Sequence, residues 1–392
     1  MTFKHACTFL IIGTTLWANG TRLPNQDARA TARGNAFVAT ADNASAIYYN
    51  PAGITQTEGS QLLAGLYVFR PETDYVSPTG ATASLRSETF TLPQLYYTHR
   101  GEDSRWAWGL GLYSPWGQSS DWGTTGPFAT LATRNEIQFI TASAAAAYQL
   151  SENLSVGVTV QANDVEADLR QAIGFSPGDQ LRFEGDDSSF AGSIGILWEA
   201  AEEHVFGMTY QSHTTVNYDG TIEQRPYAPV TDARAEMPFP DFFALAYSYR
   251  PTPQWNFEFG IDWTNWERLN TVTVNYPGPP VAVVFEWESS FYYLFGATYR
   301  EGPWAFHGGY IFSENSVPDN VFNPSVADSD RHLFSIGAEY QQGGWDLTFV
   351  LQLTPEGSRT VTGSPRSVVG QSADGRYSTS IFGGALSAAY NF

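Results

Sequence analysis

Beyond Lys4 the chain contains no lysine, and beyond Cys7 no cysteine. The missing thiols exclude a disulfide framework and a cysteine-ligated metal from the rest of the protein. Charged residues are also scarce, at 15%, where soluble domains carry about a quarter. Aromatic residues reach the same 15%. A formal net charge of -20, with no basic stripe, excludes nucleic acid as a partner, because a phosphate backbone needs one. No window supplies the roughly 20 consecutive apolar residues of a membrane-spanning helix.

The longest apolar run lies at the start. Met1 to Gly20 carries Lys4, then a mostly apolar stretch from Ala6 to Trp17, then the small residues of Ala18-Asn19-Gly20. This pattern predicts a cleavable export signal over residues 1–20, and Cys7 leaves with it. Export without disulfides fits a bacterial envelope protein better than a small secreted scaffold.

What the chain has instead is alternation. Phe382, Gly384, Leu386, Ala388, Tyr390 and Phe392 share one face, against Gly383, Ala385, Ser387, Ala389 and Asn391. Trp255, Phe257, Phe259, Ile261 and Trp263 alternate with Asn256, Glu258, Gly260, Asp262 and Thr264, and Trp345 to Leu353 behaves alike. A period of two is the strand period. Trp and Tyr recur at strand ends (Trp106, Trp198, Trp263, Tyr299 and Tyr390), as in the aromatic girdles of outer-membrane barrels.

The fold class expected is therefore all-β: a transmembrane antiparallel barrel of about fourteen strands. They fall near 61–70, 84–99, 105–113, 135–150, 153–169, 181–199, 204–222, 232–250, 254–276, 281–300, 303–314, 330–341, 344–354 and 377–392. Tight connectors such as Ser151-Glu152 and Gln342-Gly343 alternate with long ones at 114–134, 315–329 and 355–376. Short periplasmic turns and long outer loops are the barrel pattern, which places both ends of the wall on the periplasmic side. Closure is compulsory, because an open edge in hydrocarbon leaves backbone groups unsatisfied.

Residues 21–58 lack alternation, and Gly34, Asn50-Pro51 and Gly53 interrupt any long helix there. A bore of fourteen strands is open to water unless filled, so this segment is expected to be a plug inside a barrel of residues 59–392.

These residues resemble a known family. ARGNAF followed by ATADNASAIYYNPAG is similar to the N-terminal hatch of FadL-type outer-membrane transporters, whose Asn-Pro-Ala motif is here Asn50, Pro51 and Ala52, followed by Gly53. WAWGLGLYSPWG at 106–117 resembles the family's third strand, and FPDFFALAYSYRPTPQWNFEFGIDWTNWERL at 239–269 its paired strands around a Pro turn. VPDNVFNPSVADSDRHLFSIGAEYQ at 317–341, with Ala327-Asp328-Ser329-Asp330-Arg331, resembles its loop before a strand. The resemblance implies passive transport of hydrophobic small molecules (long-chain fatty acids, or aromatic or aliphatic hydrocarbons) across the bacterial outer membrane. Release would be sideways into the bilayer at a kink in the third strand, with Gly111, Ser114, Pro115 and Gly117 as candidates. It also implies a monomer among outer-membrane lipid and lipopolysaccharide, inserted by the barrel-assembly machinery through terminal Phe392, with no cofactor.

Phe37, Ile47, Tyr48 and Tyr49 are expected to contact ligand or bore wall. The tenth strand places Glu286 and Glu288 on its inward phase, offset only by Arg300 or Arg331. Two inward carboxylates would repel a fatty-acid anion, which favours a neutral cargo. The loop after the fifth strand is shorter than the capture loops of fatty-acid members. His99, His204, His213, His307 and His332 show no metal-binding spacing, so no metal is expected. Catalysis is not expected; Ser329, Asp330 and His332 could be assembled on paper into the site of an outer-membrane lipid hydrolase, but Asp328-Ser329-Asp330-Arg331 belongs to the stretch that resembles the family's transport motif. A general porin or adhesin barrel is the main alternative. Inward Glu258, Asp262, Glu339 and Asp346 are expected to pair with arginines or to hold the plug.

Overall fold

The computed structural model describes residues 19–392, so residues 1–18 of the export signal expected over 1–20, with Lys4 and Cys7, lie outside the described residues. Every strand joins one antiparallel sheet that closes on itself, since Gly59–Val76 pairs with both Phe90–Arg100 and Gly375–Asn391. Grouped by pairing, the strand segments make fourteen wall strands. Among the described residues no helix is long and apolar enough to cross a membrane.

The alternation translates directly into inside and outside. Phe259, Phe349 and Leu386 are each more than half exposed on the outer surface, while Glu258, Asp262, Thr348 and Gln352 face inward and are buried. At the rim carrying the short turns, tryptophans pair with tyrosines on neighbouring strands: Trp106 with Tyr148 at 4.7 Å, Trp255 with Tyr299 at 4.8 Å, Trp304 with Tyr340 at 4.7 Å and Trp345 with Tyr390 at 4.8 Å. Such rings, apolar at one end and polar at the other, belong at a membrane interface.

Several strands differ from expectation. The first runs to Val76 and the thirteenth, Trp345–Val361, is longer than the alternation suggested. Residues 114–134 are not simply a loop: the third strand, Trp106–Tyr113, breaks at Ser114–Trp116 and resumes as Gly117–Asp121. The seventh to tenth strands are also interrupted, at 212–213, 240–241, 265–270 and 285–289. The last two interruptions fold inward and bury Trp266 and Trp287, whose rings meet edge to face at 4.9 Å.

Residues 20–55 are almost entirely buried inside the ring. The stretch read as neither strand nor helix forms a short helix, Ala46–Tyr49, and then a 3-10 turn, Pro51–Gln56. Pro51 does not block the turn but opens it, at the first position, where its missing N–H costs nothing.

Candidate functional site

The buried N-terminal segment and the wall are matched by charge. The Arg22 guanidinium donates two hydrogen bonds to Asp262, at 2.6 and 2.7 Å, and one to Thr264 at 2.9 Å. Arg29 donates to both oxygens of Glu339, at 2.6 and 2.9 Å. Arg33 reaches Thr298, and Asn256 at 3.0 Å, while Glu258 accepts the Ala39 N–H at 2.9 Å and the Thr40 hydroxyl. The inward carboxylates therefore hold the segment as expected. The three arginines that meet them were not singled out in the sequence; they lie in the segment, whereas Arg300 and Arg331 lie in the wall. Losing one partner of such a buried pair costs about 3–5 kcal/mol. At the short-turn rim, burial pushes the Asp42 carboxyl up, but Arg29, Arg300, Arg33 and Arg250 together draw it below the usual carboxylate range.

The Asn50-Pro51 motif is seated by its surroundings. Asn50 Oδ1 accepts the Ala52 N–H at 3.2 Å, and Asn50 Nδ2 donates to Val38 O at 2.8 Å and to Ile196 O of the sixth strand at 3.0 Å. A Cβ on wall residue Gly195 would lie 2.1 Å from Asn50 Oδ1, and one on Gly309 would lie 1.9 Å from Gly34 N. The wall thus yields backbone-deep room where the segment touches it. Gly53 allows a close approach within the segment, since a Cβ there would lie 2.4 Å from Ala41 O. Replacing Gly195 with Val is expected to destabilise the seated segment by about 1–3 kcal/mol through overpacking. Ion leakage in planar bilayers should rise, with the heat-modifiable gel mobility of a folded barrel retained.

The third-strand break is backed by the segment rather than by the wall. Leu95–Arg100 pairs with Ala107–Leu112, but Phe90–Gln94 has no ladder partner there and pairs only with the first strand. Into this gap comes the chain at residues 21–26. Leu23 N–H donates to Pro115 O at 2.9 Å, Gly117 N–H to Thr21 O at 3.0 Å, and Gln26 Nε2 to Ser114 O at 2.7 Å. Gln94 Nε2 closes the other side on Asn25 O at 2.9 Å. Pro93 and Pro115, which have no N–H to donate, both flank the gap, as proline does at sheet edges. Ser114, Pro115 and Gly117 therefore sit at the break. Gly111 does not, being still paired with Ser143 within the ladder.

Above the segment, towards the long loops, lies a cavity of about 130 Å³ lined by Leu131, Phe183, Met237, Val272, Phe285, Trp287 and Val317, with no charged residue on its wall. Thr21 and Trp287 close it towards the segment, and behind them Trp287 packs on Trp266, which in turn meets Trp116. Below it, two enclosed spaces of about 20 and 10 Å³, both reaching Tyr48, hold at most a water-sized molecule.

Of the channel residues expected from the sequence, Tyr48 lines both lower spaces and Tyr49 the larger. Phe37 packs edge to face on Tyr49 at 5.5 Å, and Ile47 lies against Gly109. Glu286 and Glu288 do not face inward. Both are exposed, Glu286 has φ +43, and Trp287 between them is turned into the bore. Arg300 is remote from the cavity, bonded to Asp42 at 3.4 Å at the short-turn rim. Arg331 is buried beside Ala327 O, 3.1 Å away. Ser329, Asp330 and His332 do not converge: Asp330 accepts the Asn315 N–H, and His332 Nδ1 bonds Tyr310. After the fifth strand the loop is a tight turn in which Asp179 accepts the N–H groups of residues 173–176 at 2.7–2.9 Å. Among the described residues no group of His, Asp and Glu is arranged to hold a metal.

A closed barrel with a filled bore, an aromatic rim and an apolar outer band defines an outer-membrane protein of the plugged-barrel class. Residues 9–392 match the family described as outer membrane protein transport protein (OMPP1/FadL/TodX). The chain belongs to that family and resides in the outer membrane. It is 22% identical over 389 residues to the long-chain fatty acid transport protein of Escherichia coli O6:H1, covering 86% of each chain. It is 20% identical over 410 residues to the putative outer membrane protein NMB0088 of Neisseria meningitidis serogroup B, again covering 86% of each. Among solved structures, a Pseudomonas aeruginosa FadL homologue superposes with a TM-score of 0.84 at 17% identity, covering 95% of this chain and all of that one. The Pseudomonas putida toluene transporter TodX gives 0.74 at 15% identity, covering 97% of this chain and all of that one.

Proposed function

We propose that this protein carries hydrophobic small molecules passively across the outer membrane, with residues 21–58 as the plug, and releases them sideways through the third-strand gap. The observation that carries this reading is the wall break at Ser114–Trp116, closed by residues 21–26 rather than by a neighbouring strand. The cargo enters the uncharged cavity between the long outer loops, passes the tryptophan cluster and leaves beside Leu23 and Pro115. Lateral exit follows from elementary energetics: each methylene returned to water costs about 0.8 kcal/mol, and direct transfer to lipid avoids that cost. Relatives named as fatty acid and toluene transporters support the same class of cargo. The filled bore argues against a general porin, and the dispersed Ser329, Asp330 and His332 against a hydrolase. The protein acts as a monomer in contact with lipid and lipopolysaccharide, inserted by the assembly machinery through Phe392.

Within that class we favour a neutral hydrocarbon. The outward Glu286 and Glu288 no longer argue for it, but the cavity does: its lining carries no charge, and Arg22, just beneath Thr21, is already neutralised by both oxygens of Asp262. A volume of about 130 Å³ is close to the ~150 Å³ apolar cavity that binds benzene in an engineered protein. Titration of the purified protein, read by tryptophan quenching, is expected to give saturable binding of a single-ring neutral aromatic that does not change with pH. A long-chain fatty acid should bind more weakly as pH rises and its carboxyl ionises. Tighter binding of the fatty-acid anion than of the neutral aromatic at neutral pH would overturn this preference, and absence of quenching by any hydrophobic ligand would overturn the transport reading.

A further inference from the structure

We propose that the export signal is cut between Ala18 and Asn19, so that the mature chain opens Asn19-Gly20-Thr21 and its terminal ammonium is held beside Trp266 and Asp328. The small residues Ala18 and Gly20 make an A-x-A-like site for a cut after Gly20, two residues later, whereas a cut after Ala18 places Leu16 third before the bond, so the sequence pattern by itself favours the later cut. The fold around these two residues argues for the earlier bond. Asn19 is fully enclosed, and its side-chain oxygen accepts a hydrogen bond from the Trp266 indole N–H. Gly20 has φ +67, and a Cβ there would lie 2.4 Å from Trp266 Cζ2 and 2.8 Å from Trp287 Cζ3, so no other residue fits. Its N–H donates to Asp328 Oδ2 at 3.2 Å, on the same carboxylate oxygen that holds the Ser316 N–H and hydroxyl. Discarded leader residues would be under no such constraint. Loss of both would leave the Trp266 indole without this acceptor and open a hole between the two tryptophans.

The reaction is hydrolysis by a signal peptidase: water adds across the Ala18–Asn19 amide, leaving a carboxylate on Ala18 and an amine on Asn19 that takes up a proton. Successive backbone nitrogens are less than about 4 Å apart. The new ammonium therefore lies within about 7 Å of the Asp328 carboxylate, given the 3.2 Å from Gly20 N. An opposite charge at that range favours the charged form. Processing thus supplies a cation that no side-chain count reveals, held beside Asp328 and Trp266, neither of which lines the uncharged cavity.

The test is intact mass and N-terminal sequencing of the protein extracted from outer membranes. The expected first residues are Asn-Gly-Thr, and a first residue of Thr21, or any other start, overturns the proposal. A second experiment exports two forms behind a leader with a fixed cut, one beginning at Asn19 and one at Thr21. The shorter form is expected to unfold at lower temperature in the heat-modifiability assay and to leak ions several-fold more. Equal behaviour of the two forms would remove the structural role assigned to Asn19 and Gly20. Neither result depends on which hydrophobic cargo is carried.

Discussion

Removal of residues 21–58 behind the export signal is expected to leave a folded barrel whose ion conductance in planar bilayers rises at least about tenfold, because a bore of this strand number is wide enough for water once emptied. Selective uptake of hydrocarbon should disappear in the same variant. The wall has no need of the segment to close: first and fourteenth strands pair continuously from Gln61 with Asn391 to Val76 with Arg376. Glu258, Asp262 and Glu339 would lose their arginine or backbone partners, but these carboxylates would then face a water-filled channel rather than a dry interior. Unchanged conductance would mean that the segment does not seal the bore, and the porin reading would return.

Locking the segment in the third-strand gap is the second decisive change. Leu23→Cys with Pro115→Cys places two thiols on directly opposed positions flanking the Arg22–Trp116 bridge. Antiparallel partners have Cα atoms about 4.5–5.5 Å apart, within disulfide range. Beyond Cys7, in the expected export signal, the chain has no cysteine to interfere. The oxidised form is expected to bind hydrocarbon normally in the upper cavity yet deliver it at least about tenfold more slowly, equivalent to ~1.4 kcal/mol of added barrier. A reductant should restore delivery. Equal delivery by the oxidised and reduced forms would show that cargo does not pass beside Leu23 and Pro115.

How much of this was legible depends on what sets each feature. The wall was, because lipid on one side and a polar interior on the other impose a period of two along every strand: Phe259 and Ile261 outside, Glu258 and Asp262 inside. The interrupted strands were less so. Counting back from inward Ser290 puts Glu288 and Glu286 inside only if the strand stays regular; the left-handed turn at Glu286 resets the phase and Trp287 takes the inward place. No local pattern announces such a reset. The break at Pro115 was readable from proline's missing N–H, but not its width, which depends on strand resuming at Gly117. Nor could the sequence say that Gly195 is small for the sake of Asn50, a contact spanning more than a hundred residues. The anchoring arginines Arg22, Arg29 and Arg33 carry no local signal, because only the fold brings the inward acids of distant strands against the N-terminal segment.

The central claim is that a hydrophobic molecule crosses through this barrel and leaves by its side. Its most direct measurement is initial-rate uptake of a labelled neutral aromatic hydrocarbon by cells with an intact lipopolysaccharide leaflet, comparing the native protein, the oxidised Leu23→Cys/Pro115→Cys form and a strain lacking the protein. The account predicts fast, saturable uptake for the native protein alone, with the locked form falling to the level of the strain lacking it. Uptake at that same low level in cells carrying the native protein would contradict it.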